Sequence, residues 1–202
     1  PRGDAHMKIY FHMNIESFSN CYLVVNEETK LALIIDPCKI TKEIIAQIED
    51  GGYELCAVLL TKNTQGHLHG IATLRKIYTF DVFAADTDIA GEKVILIKGE
   101  GNLELAGMSV MYFALPGHTA DSIVYKIGTV LFTGDALTAG AIGETSSSYA
   151  RTTLLNGIRT KIFTHQDDTV IMPCHGPLTS VGAEKQFNID LNPLPKKRLD
   201  EL

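Results

Sequence analysis

Short apolar runs separated by polar and glycine-containing turns recur along most of the chain. Runs of this length, rich in valine, isoleucine and leucine, are typical of strands that are buried in a sheet. The pattern predicts eleven strands, at residues 7–14, 21–25, 31–35, 57–60, 82–85, 94–97, 103–105, 109–115, 123–127, 130–133 and 170–172. These strands form two groups, and helical segments interrupt and close each group.

Helical periodicity marks the segments between the strands. Thr41 is a favourable N-cap for a first helix, and Gly51 and Gly52 end that helix. Apolar residues three or four positions apart predict three more helices, one through Ile71, Leu74 and Ile77, one over residues 149–164 and one over residues 180–187. Two sheets packed face to face, with helices outside, would bury all of these apolar faces, so the pattern predicts an α/β or α+β domain with two sheets.

The composition is that of a globular domain, with 45% hydrophobic and 21% charged residues in a chain of 202. We expect a single domain over residues 7–190, because no linker or repeat divides that range. Residues 1–6 resemble a cloning remnant, and residues 191–202 are expected to form a C-terminal tail.

Charge and cysteine usage exclude several classes of protein. The net charge of −6 is unsuited to nucleic acid, which binds basic surfaces, and no apolar run is long enough to span a membrane. The sequence has no secretory signal pattern, and its four cysteines have no CxxC spacing. We therefore expect a cytoplasmic protein with reduced thiols.

The residues best suited to catalysis or metal binding lie at the ends of the predicted strands. They lie in the segments Asn20-Cys21-Tyr22, Ile35-Asp36-Pro37, Leu59-Leu60-Thr61, Pro116-Gly117-His118-Thr119, Thr133-Gly134-Asp135 and Cys174-His175-Gly176. In this order and spacing the segments resemble the metallo-β-lactamase superfamily, specifically its glyoxalase II-like (hydroxyacylglutathione hydrolase-like) branch. The resemblance covers nearly all of residues 7–188, and it implies an α+β fold, a four-layer αββα sandwich.

The resemblance also implies a centre with two metal ions held by histidine and aspartate. Two such ions lower the pKa of a bridging water and polarise the scissile carbonyl. The usual first motif of the family is Thr-His-x-His-x-Asp-His, and this chain has Thr61-Lys62-Asn63-Thr64-Gln65-Gly66-His67 in its place. Lys62, Thr64 and Gly66 therefore replace two histidines and an aspartate, and only His67 remains.

The remaining ligands implied by the resemblance are His118 for metal one, His175 for metal two and Asp135 as the bridge. Metal one keeps His118 and Asp135, which are too few for a tight site. Metal two keeps His67, Asp135 and His175, and three protein ligands plus water can form a mononuclear zinc site. We expect at most one tightly bound zinc ion, or none.

Lys62 is the replacement with the clearest chemical consequence. We hypothesise that its ammonium lies near Asp135, in the catalytic region, and replaces the charge of metal one without replacing its Lewis acidity. A solvated loop lysine is the alternative. The alternative for His67 is a structural residue at the start of a helix, held by a backbone carbonyl. The alternative for His118 and His175 is that they are remnants of a lost metal site, held by mutual hydrogen bonds.

Cys38 and Cys174 stand where the family commonly has glycine. Three interpretations remain open. A thiolate is a good zinc ligand, so Cys174 could rebuild a site beside His175. A cysteine near a histidine could also act as a nucleophile, or both could be apolar fillers of a collapsed pocket.

Two functions of different classes follow from these features. The first is a non-catalytic or impaired member of the family that binds a small-molecule ligand or a protein partner. The alternative is a one-metal hydrolase of a thioester or ester, acting through His67, Asp135 and His175. A homodimer is a further hypothesis that no sequence pattern supports.

Overall fold

The computed structural model describes residues 6–89 and 91–192, so the predictions for residues 1–5 and 193–202 lie outside the described residues. The first half of the chain forms a six-stranded sheet whose strands follow chain order. Its strands are β1 (Met7–Asn14), β2 (Ser19–Asn26), β3 (Leu31–Ile35), β4 (Glu54–Leu59), β5 (Asp81–Ala84) and β6 (Val94–Leu96). Strands β1 to β3 pair antiparallel, and β3 to β6 pair parallel.

The second half contributes another six-stranded sheet and a small hairpin. Its strands are β7 (Glu100–Leu105), β8 (Met108–Ala114), β9 (Ile123–Ile127), β10 (Val130–Gly134), the hairpin strands β11 (Leu137–Thr138) and β12 (Ala141–Ile142), then β13 (Val170–Pro173) and β14 (Thr179–Ser180). The order in the sheet is β14-β13-β10-β9-β8-β7, and β10 and β13 pair parallel.

Four α-helices accompany the sheets within the described residues. They are α1 (Lys42–Gly51), α2 (Gln65–Leu74), α3 (Ser148–Gly157), which continues as a π-helical turn over Ile158–Ile162, and α4 (Val181–Phe187). No helix in the described part of the chain is long and apolar enough to cross a membrane.

Three separate apolar cores show that these elements stack in four layers. Successive residues of β2 point to opposite faces of its sheet, so Leu23 packs toward α1 and α2 whereas Val24 packs toward the second sheet. On the far side of the second sheet, Leu131 of β10 packs with Leu154 of α3 and Val181 of α4. This αββα arrangement confirms the predicted α+β sandwich.

The predicted helix after Thr41 is confirmed in detail. The Thr41 side chain accepts a hydrogen bond from the Ile44 amide, and Gly52 ends the helix with a φ of 64°. That left-handed conformation favours glycine because it has no Cβ.

Two helix boundaries differ from the prediction. Ile77 lies beyond the end of α2 and is 50% exposed, because the chain turns after Leu74, where Arg75 binds Glu92 and the Phe80 carbonyl. The helix predicted over residues 149–164 ends as an α-helix at residue 157 and closes as a π-helical turn. The two-residue strands β11, β12 and β14 were not predicted, since so short a segment has no period.

A buried carboxylate fixes α4 to the turn between β11 and β12. Glu184 is 2% exposed and accepts hydrogen bonds from the Gly140 amide, the Thr179 hydroxyl and the Asn188 side-chain amide. All three donors surround one side chain, so Glu184 joins three segments of the second half of the chain.

A second carboxylate holds the end of the described chain. Asp190 accepts hydrogen bonds from the Ile142 amide at 2.9 Å and the Arg151 guanidinium at 2.7 Å. Burial opposes ionisation of Asp190, but these donors offset it and lower its pKa below the usual value.

Candidate functional site

A cavity of about 590 Å³ lies where the loops after β3, β4, β10 and β13 meet. In a sheet with parallel strands the carboxyl ends share an edge, which brings loops that are distant in sequence together. The chemically active side chains that line the cavity are Cys38, Lys62, His67, Asp135, Cys174 and His175.

Lys62 lies at the centre of a line of charged and polar side chains. Its ammonium is 2.5 Å from Asp135 Oδ2 and 3.0 Å from His118 Nε2, and the Lys62 and Asp135 side chains are only 14% and 13% exposed. His118 Nδ1 lies 2.9 Å from the Glu144 carbonyl, to which it donates, so its Nε2 accepts from Lys62. The alternative of a solvated loop lysine is therefore wrong.

Asp135 has a second partner on its other oxygen. His175 Nδ1 lies 2.6 Å from Asp135 Oδ1. Burial opposes ionisation of Asp135, but hydrogen bonds from His175 and Lys62 more than offset it and hold its pKa well below the usual value. The same hydrogen bond raises the pKa of His175. His118, Lys62, Asp135 and His175 thus form one continuous chain of contacts.

His67 is part of a different group. It is 1% exposed and occupies the first turn of α2, whose N-cap is Thr64. Its Nδ1 lies 2.9 Å from the Lys62 carbonyl and 3.7 Å from Asp36 Oδ1. Burial opposes protonation of His67, but Asp36 and Cys38 outweigh it and raise the pKa of His67 to about 9. The predicted alternative, a backbone carbonyl partner for His67, is present.

Two cysteines face the other side of His67. Cys38 is 7% exposed and Cys174 is 2% exposed, and Cys174 Sγ is 3.9 Å from His67 Nε2. A hydrogen bond from Cys174 lowers the pKa of Cys38, and His67 lowers it further, although burial opposes both effects. The same hydrogen bond raises the pKa of Cys174. The cysteines are buried as apolar fillers would be, but their sulfurs contact polar groups.

Asp36 anchors the loop behind His67. Its carboxylate accepts hydrogen bonds from the Thr61 amide at 2.8 Å and the Thr61 hydroxyl at 2.7 Å, and burial raises its pKa. Asp36 also adopts a φ of 51°, uncommon for a residue other than glycine. The carboxylate therefore joins the loop after β3 to the loop after β4.

Asn20 holds the loop that carries Cys174 and His175. Its buried side-chain amide donates to the Pro173 carbonyl at 2.9 Å and to the Gly176 carbonyl at 2.8 Å. Its backbone amide donates to the Cys174 carbonyl at 2.6 Å. The start of β2 in the first sheet is thereby joined to the end of β13 in the second.

Two glycines allow the loops to approach closely. A Cβ at Gly134, where φ is 57°, would lie 2.4 Å from Thr61 Oγ1. A Cβ at Gly143 would lie 2.3 Å from the Asp135 carbonyl and 2.9 Å from the His118 ring. Side chains at these positions would push the strand ends apart.

The structure brings most predicted site residues to one cavity, but in two groups. His118, Lys62, Asp135 and His175 are joined in that order by successive contacts, whereas His67 lies with the cysteines. Within residues 6–89 and 91–192, the potential metal-ligating groups are Cys38, His67 and Cys174, and Asp135, Cys174 and His175, with ligand atoms within 4.8 Å of one another in each. The assignment of His67, Asp135 and His175 to one ion remains a prediction, and these three do not form such a group.

Sequence reasoning missed the supporting roles of Asp36 and Asn20. The sequence identifies Asp36 and Asn20 only as members of the segments that carry the resemblance. The signal that could have identified them is a polar residue directly beside a predicted apolar strand, because a polar side chain buried at such a position needs hydrogen-bond partners.

Comparisons with known proteins identify the family of this chain. The family model of the metallo-β-lactamase superfamily matches residues 67–182. The hydroxyacylglutathione hydrolase GloC of Haemophilus influenzae is 30% identical over 215 residues, which cover 89% of this chain and 99% of that protein. The probable metallo-hydrolase YqgX of Bacillus subtilis is 27% identical over 86% of this chain and 92% of its own length.

Solved structures show the same fold. ETHE1 from Myxococcus xanthus superimposes with a TM-score of 0.81 at 25% identity, over 94% of this chain and 92% of that one. The B3 metallo-β-lactamase BLEG-1 gives a TM-score of 0.77 at 25% identity, over 92% and 99%. The family match, the relatives and the fold agree with each other, and the chain therefore belongs to the metallo-β-lactamase superfamily.

Proposed function

We propose that this protein does not carry out two-metal hydrolysis and instead binds a small-molecule ligand in the cavity beside Lys62. The observation that carries the proposal is the Lys62 ammonium, bonded to both Asp135 and His118. These two residues are the ones that the resemblance assigns to metal one. An ammonium supplies positive charge at that point but has no vacant orbital with which to polarise a carbonyl.

The donor set supports the loss of the two-metal centre. A tight zinc site needs at least three protein ligands, and metal one would have two. The replaced positions do not supply the third, because the Thr64 hydroxyl caps α2 and Gly66 has no side chain. The residues present therefore do not fit a pair of metal ions, and we assign no catalytic step to such a pair.

The cavity supports a binding role. Its volume of about 590 Å³ lies within the range of roughly 300–1,000 Å³ typical of small-molecule sites. His175 lines it, is 46% exposed at its side chain and donates to Asp135 through Nδ1. The raised pKa of His175 favours the protonated ring, whose Nε2–H can donate to a carboxylate or carbonyl of a ligand.

A restoration experiment tests this proposal. The protein and a variant with Lys62→His, Thr64→His and Gly66→Asp would be loaded with zinc, freed of loose metal and assayed for hydrolysis of a hydroxyacylglutathione thioester. We expect no hydrolysis and at most one ion per chain in the unchanged protein, and a gain of tightly held metal in the variant. Two tight ions, or zinc-dependent turnover that Asp135→Asn abolishes, would contradict the proposal.

A second candidate is a one-metal hydrolase of a thioester or ester. The observation that favours it is the group of Asp135, Cys174 and His175 at the cavity wall. Three donors and an open position are the composition of a catalytic zinc site. This candidate predicts one zinc ion per chain and slow thioester hydrolysis, both lost in His175→Ala.

The cellular location and assembly belong to the same proposal. The four cysteines are free, which supports a reducing compartment such as the cytoplasm. A homodimer stays a prediction.

A further inference from the structure

Cys38, His67 and Cys174 come from three separate segments of the chain and converge in the interior of the site. Cys38 follows β3, His67 lies in the first turn of α2 and Cys174 follows β13. All three are buried, and their ligand atoms lie within 4.8 Å of one another. Two thiols and an imidazole in such proximity are unusual for simple packing, since each has polar bonding needs in a buried setting.

The orientation of His67 suits a metal ligand. Nδ1 lies within hydrogen-bonding distance of the Lys62 carbonyl and near Asp36, so Nε2 points to the sulfurs. A metal-ligating histidine usually donates its other ring nitrogen to a carbonyl or carboxylate, which fixes the ring and the tautomer. The support that a ligand would need is therefore already present on the far side of the ring.

We propose that Cys38, His67 and Cys174 bind one zinc ion, with a fourth position open to the cavity. Thiolate and imidazole donors favour zinc over magnesium or calcium, which prefer oxygen. The site shares His67 with metal two of the family arrangement, but Cys38 and Cys174 take the place of Asp135 and His175 as its other ligands.

The ligand atoms lie within 4.8 Å of one another, so zinc binding needs a contraction of about 1 Å at most. With Zn–S near 2.3 Å and Zn–N near 2.0 Å, tetrahedral ligand atoms lie slightly less than about 4 Å apart. The Cys174 sulfur and His67 Nε2 are already 3.9 Å apart. Zinc binds thiolates and a neutral imidazole nitrogen, so binding would release to solvent any proton carried by the two sulfurs and by His67 Nε2.

Cobalt(II), a spectroscopic substitute for zinc, tests the site directly. The full-length protein, reduced and freed of metal, would be titrated with cobalt and then with zinc. We expect a thiolate-to-cobalt charge-transfer band and tetrahedral ligand-field bands that saturate at one ion per chain and disappear when zinc is added. Cys38→Ser and Cys174→Ser should each lose most of the charge-transfer intensity, whereas the control Cys56→Ser, whose half-buried thiol contacts the Ala32 carbonyl, should keep it.

The Asp135→Asn variant separates this site from the alternative group at the cavity wall. The proposed site predicts an unchanged cobalt spectrum in this variant. Loss of the spectrum in Asp135→Asn but not in Cys38→Ser would overturn the proposal.

Thiol protection gives a second readout that does not depend on whether the variants fold. Bound zinc should slow modification of two thiols in the unchanged protein by a disulfide reagent, and a chelator should reverse the effect. Equal reaction rates with and without zinc would overturn the proposal. So would a Cys38–Cys174 disulfide in the isolated protein together with no metal uptake after reduction.

Discussion

Replacing Lys62 by methionine removes the ammonium beside Asp135 and keeps most of the length of the side chain. In the structure Lys62 Nζ lies 2.5 Å from Asp135 Oδ2, and both side chains are less than 15% exposed. After the replacement Asp135 keeps its hydrogen bond to His175 but loses the other charged partner. The carboxylate would then be buried with only part of its charge compensated.

The expected loss of stability is substantial. Breaking a buried ion pair by removing one partner costs roughly 3–5 kcal/mol, and the remaining bond from Asp135 to His175 brings the expected cost of Lys62→Met below that range, to about 2–3 kcal/mol. Asp135→Asn alone leaves the ammonium partly unpaired. The double variant removes both charges, so it should be more stable than the sum of the single effects predicts, with a coupling energy of roughly 1–3 kcal/mol.

Urea unfolding at neutral pH in the presence of a chelator measures all four proteins without a contribution from metal. The pair Lys185 and Asp167 is a matched control, because it has nearly the same distance, 2.6 Å, but far greater exposure, 34% and 73%. The control cycle should give less than about 1 kcal/mol of coupling. A Lys62–Asp135 coupling no larger than that of the control would refute the reasoning.

Three further predictions concern the packing and charge of the scaffold. Gly70→Ala should destabilise the protein by about 1–3 kcal/mol in urea unfolding, because its Cβ would lie 2.4 Å from the Pro37 carbonyl, whereas a Cβ in Gly66→Ala on the same helix would meet only Thr64 Oγ1, at 3.8 Å, and the change should be neutral or slightly stabilising. Glu184→Ala should cost about 2–4 kcal/mol, since it leaves three donors unpaired, and Glu184→Gln should cost less; equal costs would contradict this role. The folded-state pKa of Asp190 is lowered, so ionised Asp190 stabilises the folded protein at pH values above the usual carboxyl pKa, and this contribution is lost as the pH falls through the folded-state pKa. The difference in unfolding free energy between the protein and Asp190→Asn should therefore shrink in acid. A difference that is constant across that range would contradict the pKa assignment.

Much of the fold was predictable because its elements are long enough to show their period. The first helix was predicted from Thr41 to Gly52, and the structure begins and ends it with those two caps. The end of α2 was not predicted, because Ile77 fits the helical spacing but lies on an exposed turn. The spacing of apolar residues predicts which side of a helix is buried, but it does not predict where a tertiary contact such as the Arg75–Glu92 ion pair ends the helix.

The candidate site was predictable to a lesser extent. The resemblance drew attention to Lys62 and Asp135, and the position of each after a strand end made their contact a reasonable expectation. The grouping of His67 with Cys38 and Cys174 was not predicted. It depends on how closely the loops after β3 and β13 approach α2, and that distance is set by packing, including the absence of a Cβ at Gly70.

A crystal structure of zinc-soaked protein, with anomalous scattering recorded on both sides of the zinc absorption edge, tests the central claim most directly. The claim is that the Lys62 ammonium occupies the place of a first metal ion. We predict no anomalous peak between Lys62, His118 and Asp135, with the lysine Nζ in contact with both partners. A zinc peak bound by His118 and Asp135, with Lys62 turned away, would contradict it.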